Sequence, residues 1–468
     1  MFRAPIRFVA GLAVVGVIAG LATLPAGAAR RTASVPGVTD KEIVLTAMVA
    51  DLDGLRAKGL IQQPKLTTAN LLKKWQVYAD AYGPINGRKI VFKGATWDPV
   101  DAASFDKGCL QATQVNKPFA VVNGSGFRAA TVSCITVDNK TPMIYGEAVT
   151  DALQKASGDN LFSLAVPAGQ AGTTAVSVTV GEGIVPKTAK VGILASNSLP
   201  GTEAGNAVEA ALKKQGVTVA KRVDVNELAA DSTAINKESA AAVATFKAAG
   251  VDTVYVLISF TNNVGFFQEA SKSGAGFKTV LVDAASSICT QFGASRTPLD
   301  TAGTPCVTTW DTRALPNLDG VKKDNAFEAK CRKTFDKGMA ETSQAGVPAG
   351  DVTAGGVTYV EDVSPNECTI LGFLLPAIEQ AGKNLTWAKV AKNLKKVSDG
   401  DAAYMSDGKG SFGPKKNYYA DYMHLMVLNA ANAQTPKDAN GLFNGCPAPV
   451  NCWKPQRVGG KDEWFPVK

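Results

Sequence analysis

The sequence predicts an α/β protein of two lobes, each built on a parallel sheet. Three observations lead there. Strand and helix patterns alternate at βαβ spacing from about residue 41 onward. The pattern then occurs a second time, in a block of similar size from about residue 189. The length of 468 residues and an apolar content of 46% are enough for two or more domains. Two such sets in succession imply a cleft between lobes, a preferred place for a small ligand.

The elements follow in order. Ile43–Val49 reads as a strand, followed by an acidic turn at Asp51 and Asp53. Thr68–Tyr82 carries Leu71, Leu72, Trp75, Val77 and Tyr78 in a helical pattern. Asn86-Gly87 turns the chain into a second strand. A helix over about Ala102–Val115, the strand Phe119–Val122, a helix Arg128–Asn139 and the strand at Met143–Tyr145 complete the first set. In the second set, strands are expected at "KVGIL", "DTVYVL" and "KTVLV", with helices between them. Ligands of such sheets lie beyond the carboxyl ends of the strands. The turns there hold Asp51, Ser125, Tyr145 and Glu147 in the first set. In the second they hold Asn197, Ser198, Ser259, Phe260, Thr261 and Asp283. Further on come a charged helical stretch near 317–345, a strongly apolar helix ending near Gly382 and a long edge strand in "YYADYMHLMVLNA". From about 434 the Pro-, Gly- and Lys-rich sequence reads as an exposed tail.

The first 29 residues read as a secretory signal peptide. Arg3 and Arg7 precede an apolar run from Phe8 to Leu24, and Ala26-Gly27-Ala28 offers a small-residue cleavage site. Loss of Arg3 and Arg7 takes the net charge from +8 to +6. An exported protein is therefore expected, in the periplasm, the cell envelope or outside the cell. An uncleaved anchor is the alternative. No cysteine follows the cleavage region, so no lipid anchor is expected. The positive charge is spread without a run of five or six like residues, which argues against a nucleic-acid partner.

Eight cysteines in an exported chain read as disulfides. Pairing sequence neighbours gives Cys109–Cys134, Cys289–Cys306, Cys331–Cys368 and Cys446–Cys452, among 105 formal possibilities. The single histidine, His424, has apolar and aromatic neighbours and reads as a structural residue on a strand. With one histidine, any Ser-His-Asp or Cys-His site has to use that residue, and zinc sites needing two histidines are excluded.

"VVNGSGFR" is the most suggestive turn. A nucleophile elbow needs G-x-S-x-G, but Asn123 and Phe127 stand at the outer positions. A phosphate loop needs a lysine that does not follow Gly126. Gly124 and Gly126 allow close backbone approach, Ser125 offers a hydroxyl, and free amides at a helix start favour an anion. Simple capping of the helix by Ser125 is the competing reading.

These pieces, in this order, resemble the type I periplasmic binding proteins of ABC importers, specifically the Leu/Ile/Val-binding group. The resemblance covers roughly 41–429 and is carried by "INGRKI", "VVNGSG", "KTPMI", "PGTEAGNAVEAALKKQG", "GFKTVL" and "NECTILGFLLPAIEQAG". Cys109 and Cys134 also match that family's disulfide. The resemblance implies two Rossmann-like lobes joined by three hinge crossings near 164–167, 306–311 and 421–425. Lobe 1 would comprise 40–164 plus 312–420, and lobe 2 would comprise 167–306 plus 425–433, with a disulfide-closed tail over 434–468. It implies a small, carboxylate-bearing ligand, an ABC permease partner, a monomer, no cofactor and no metal. Ser125 and Gly126 would hold the carboxylate. Tyr145, Gly146 and Glu147 would line the next loop, with Ser198, Pro200, Ser259, Phe260 and Asp283 on lobe 2. Lobe 2 departs from the family: Pro200 stands where an aromatic is usual, and Asp283 is the nearest acid to the amine-binding glutamate. A ligand-sensing module for a membrane receptor or kinase is the alternative, and a secreted amidase or hydrolase a third reading.

Overall fold

The computed structural model describes residues 35–57, 67–98, 101–124, 129–226, 232–258, 260–284, 296–298, 303–310, 326–339, 352–354, 357–359, 365–400, 402, 405, 410–428, 442–444, 453–455 and 464–468. The proposed signal segment lies outside these residues.

The first set runs β1 (Glu42–Ala50), α1 (Leu52–Ala57), α2 (Thr68–Tyr82), β2 (Lys89–Trp97), α3 (Ala102–Leu110), β3 (Ala120–Asn123), α4 (Ala129–Ser133), β4 (Met143–Tyr145), α5 (Asp151–Ser157) and β5 (Leu161–Ser163). Its strands form one sheet in the order β2-β1-β3-β4-β5, parallel throughout. Helices cover both faces of such a sheet, so its central strands must be apolar on both sides. Ala120, Val121 and Val122 meet that demand and are fully buried. Each valine stabilises the fold by about 1.5–3 kcal/mol through burial.

The second set runs α6 (Ala168–Gly181), β6 (Lys190–Ser196), α7 (Leu199–Lys214), β7 (Thr218–Val225), α8 (Ser232–Ala248), β8 (Thr253–Leu257), α9 (Phe260–Lys272), β9 (Lys278–Val282), β10 (Arg296–Pro298) and β11 (Pro305–Thr308). The parallel part of its sheet has the order β11-β9-β8-β6-β7. Counted from the start of each set, both sheets have the order 2-1-3-4-5, a doubly wound arrangement with its ligand crevice at the carboxyl edge.

The rest of the chain serves both sheets. Helix α10 (Ala326–Gly338) comes first, then the antiparallel pair β12 (Val352–Ala354) and β13 (Val357–Tyr359). Helices α11 (Pro365–Ala381) and α12 (Trp387–Leu394) follow. Helices α10 and α11 pack against α2 of the first set. The chain then returns to the second sheet as β14 (Tyr422–Leu428), antiparallel to β11. Two of the connecting stretches, 163–164 and 417–420, are hydrogen-bonded to each other. Ser163 and Leu164 donate their amides to Asn417 and Tyr145, and Ala420 donates to Leu164. Trp310 bridges to Met405.

Two expectations change. β14 is an interior strand, not an edge. β16 (Trp453–Pro455) and β17 (Trp464–Pro466) pair with its outer side, while β15 (Leu442–Asn444) pairs with β10. Met423, Leu425 and Met426 are buried on it, so the last residues cover apolar surface instead of trailing as an exposed tail. The acidic turn after β1 is the short helix α1. Asp51 accepts the Gly54 amide, and Asp53 pairs with Arg56 one turn later.

Cys109–Cys134 and Cys331–Cys368 are joined, as sequence adjacency predicted. Cys306 is also disulfide-bonded. The expected pairings of Cys289, Cys446 and Cys452 lie outside the described residues. His424 is fully buried on β14, its ring stacked 4.3 Å from that of Trp464.

Candidate functional site

The carboxyl edge of the first sheet is shaped by two turns in close approach. Gly146 donates its amide to the Asn123 carbonyl at 2.9 Å. A Cβ on Gly146 would lie 1.8 Å from the Gly124 carbonyl oxygen, so only glycine fits this crossing. Tyr145 ends β4, and its phenol donates to the Glu147 carboxylate at 3.1 Å. Glu147 is 4% exposed. Ser125 and Gly126, the proposed anion grip, lie outside the described residues.

The first turn of α11 closes this wall. Asn366 donates its side-chain amide to the Gly124 carbonyl at 2.5 Å, and the Glu367 carboxyl stands beside Gly124. The sequence reading missed both residues. The signal was the polar pair "NE" opening an apolar helix. Nothing local says that this helix start meets a turn 242 positions away.

The second edge keeps its predicted residues engaged with neighbours. Ser198 caps α7 by accepting the Gly201 amide at 3.2 Å, and its hydroxyl meets that of Ser196 at 2.5 Å. Pro200 is buried in the same first turn, where a missing N–H does no harm. Asp283 is 5% exposed and accepts from the Thr308 hydroxyl at 2.5 Å. Phe260 opens α9, directly after β8. The placement of Ser259 and of the Phe260 side chain lies outside the described residues. Among the described residues, the polar atoms without a partner near this edge belong to residues not singled out in the sequence: the Asn262 oxygen, both amide atoms of Asn263 and the hydroxyl of Thr309.

One carboxylate links the two edges. Glu203, in the second turn of α7, accepts the backbone amides of Asp151 and Gly169 at 3.1 Å each. Asp151 opens α5, just beyond the Tyr145–Glu147 turn, so the loop after β4 and the start of α7 are held together. Burial pushes the Glu203 carboxyl above its ordinary value of 4.5. The two amides oppose that shift, and the charge of Asp151 adds to it. Gln170 reaches the same Asp151, and Tyr418 in turn donates to Gln170. These contacts join the segment after β4, the start of α6 and the start of α7.

Among the described residues, no group of three or more His, Cys, Asp or Glu side chains is placed to hold a metal ion. No described helix is long and apolar enough to cross a membrane.

Two parallel sheets of the same doubly wound order, with β14 returning antiparallel to the second, fit the type I periplasmic binding fold. A model of the periplasmic binding protein family matches residues 72–433, and the chain belongs to that family. No curated protein matches the sequence. Solved structures do. A solute binding protein of an ABC transporter from Rhodopseudomonas palustris, in complex with 3,4-dihydroxybenzoic acid, is 12% identical. The match covers 89% of this chain and 99% of that one, with a TM-score of 0.59. A leucine binding protein from Thermotoga maritima is also 12% identical, over 87% of this chain and 99% of that one, with a TM-score of 0.59. A fatty acid ABC transporter substrate-binding protein from Thermomonospora curvata is 16% identical, over 92% and 96%, with a TM-score of 0.59.

Proposed function

We propose that the chain is the exported solute-binding subunit of an ABC importer and captures a small molecule between two lobes. The lobes would be 40–164 plus 312–420 and 167–306 plus 425–433. The observation that supports this reading is the Glu203 carboxylate, which ties the start of α7, after the first strand of the second set, to the segment that follows Glu147 in the first. Opposed edges joined by a hinge can close around a ligand and bind it without chemistry. The chain's single histidine is fully buried and stacked on Trp464 within the second sheet, a placement that suits packing and not activation of a serine.

In this reading Ser125, Gly126 and the amides beside them grip an anionic group of the ligand, a carboxylate by preference. Tyr145, Gly146 and Glu147 shape the first wall. Ser198, Pro200, Ser259, Phe260 and Asp283 belong to the second. The closed, ligand-bound protein docks on a membrane permease as a monomer.

The test is a thermal-shift screen of the chain from residue 30 against amino acids, amides and aromatic acids. A true ligand raises Tm progressively with its concentration. Ser125→Ala should then weaken the hit by about 1 kcal/mol or more, the scale of a hydrogen bond to a charged group. Unchanged affinity in that variant would remove Ser125 from the site.

A further inference from the structure

The geometry points to a second ligand site, a cavity beside α5 that takes a small multivalent oxyanion, a polycarboxylate or a polyphosphate, on Lys155, Lys415 and Lys416. None of the side chains expected in the cleft lines this cavity, so the site goes beyond the cleft reading.

The cavity holds about 470 Å³, within the range of sites for small ligands. Asp151 opens α5 and Asp159 follows its end, so the cavity runs the length of that helix. Pro167, the N-cap of α6, and Gln170 within it form a wall from the second set. Residues 415–418 close the cavity from the stretch that leads into β14. That stretch is tied down on both sides. Asn417 accepts the Ser163 amide, and its side chain donates to the Gly158 carbonyl at 2.7 Å. The Tyr418 phenol donates to Gln170 at 2.6 Å. An occupant therefore touches both sets and the chain that connects them.

The lining is rich in cations. Lys155, Lys395, Lys415 and Lys416 stand against two acids, Asp151 and Asp159. Lys395 is taken up by Asp159 at 2.5 Å. Lys155 and Lys415 are exposed and form no ion pair among the described residues. Exposed lysines alone mark only a solvated surface. Lys416 differs, because its side chain is 19% exposed. Its ammonium pairs with Asp421, donates to the Tyr419 carbonyl at 3.2 Å and lies 4.6 Å from the centre of the Tyr418 ring. Burial pushes this ammonium below its ordinary pKa, and Asp421 opposes that shift. The same Asp421 also accepts the Ser411 hydroxyl at 2.9 Å, so one carboxylate serves two donors. A second anion beside Lys416 offsets the cost of drawing an ammonium out of water. One carboxylate meets one lysine, whereas a di- or trianion meets several at once. Gln154, Gln170 and Asn417 line the rest, which suits an oxygen-rich body and not an apolar one.

Isothermal titration of the chain from residue 30 with pyrophosphate and with citrate tests this, with acetate as the monovalent control at equal ionic strength. Pyrophosphate or citrate should bind at least about ten-fold tighter than acetate, and the affinity should fall as sodium chloride is raised. The tighter of the two tells a polyphosphate site from a polycarboxylate site. Lys155→Gln combined with Lys415→Gln should weaken that binding about ten-fold or more. Both side chains are exposed and without an ion pair, so Tm in the absence of anion should not change. A double variant that binds the anion as the wild type does would put the anion elsewhere, in the cleft or on open surface, and overturn the proposal. So would pyrophosphate and citrate that bind no tighter than acetate. Either result leaves the cleft reading standing, because that reading is tested with solutes and with Ser125→Ala.

Discussion

The two carboxyl edges use their polar side chains differently. On the second edge, Ser198 caps its helix and Asp283 takes the Thr308 hydroxyl, so both are engaged in holding the lobe together. On the first, backbone turns do that work. Gly146 crosses Gly124 so tightly that a side chain is excluded, and the oxygens of Asn123 and Asn366 are left without a partner, as are atoms of Asn262, Asn263 and Thr309 on the second edge. A serine or an acid at a strand end is thus weak evidence of a ligand contact by itself. What separates a contact from a brace is whether its hydrogen bonds are already made.

Three changes break or sharpen this contrast. Gly146→Ala acts on the first edge, where the new Cβ would meet backbone and cannot be accommodated by a side-chain move. It should cost about 2–3 kcal/mol in urea unfolding, the range of an overpacked core, and abolish ligand binding. A stable variant with normal binding would show that the two turns are not rigid. Ser198→Ala acts on the second edge. Loss of the cap should cost about 1 kcal/mol of stability and lower ligand affinity less than Ser125→Ala does. A fall in affinity beyond that would make Ser198 a contact as well as a brace. Glu203→Gln has the smallest effect and concerns the link between edges. Because burial raises this carboxyl in the folded state, the folded protein holds the proton more tightly. Its contribution to stability is full below pH 4.5 and is lost as the pH rises through the raised value. Tm of the wild type should fall across that window, and Glu203→Gln should remove that part of the slope. An identical slope in the variant would assign the pH dependence to another group.

Much of the fold was legible because it rests on local chemistry. The helix over Thr68–Tyr82 follows from its apolar spacing and starts at Thr67, whose hydroxyl accepts the Asn70 amide. The strand at Ala120–Asn123 is apolar enough to be buried on both faces. Cys109 and Cys134 lie on neighbouring helical segments of one βαβ succession and are close in space because they are close in sequence. Less of the site was legible. The sequence marked the turns correctly as carboxyl-edge turns but could not say which polar groups in them were already bonded.

By itself, then, the sequence determined the alternation of elements, the two sets of similar size and the first and third disulfides along the chain. Each depends on residues near one another along the chain. Only the tertiary structure decided that Asn366 and Glu367 join the turn at Gly124, that Glu203 binds the amides of Asp151 and Gly169, and that Trp464 covers His424. These contacts bring together residues from about 34 to 242 positions apart, and no local periodicity encodes such a meeting. They form because two amphipathic sets must bury their apolar faces, and the packing that does so fixes which polar ends are left facing each other.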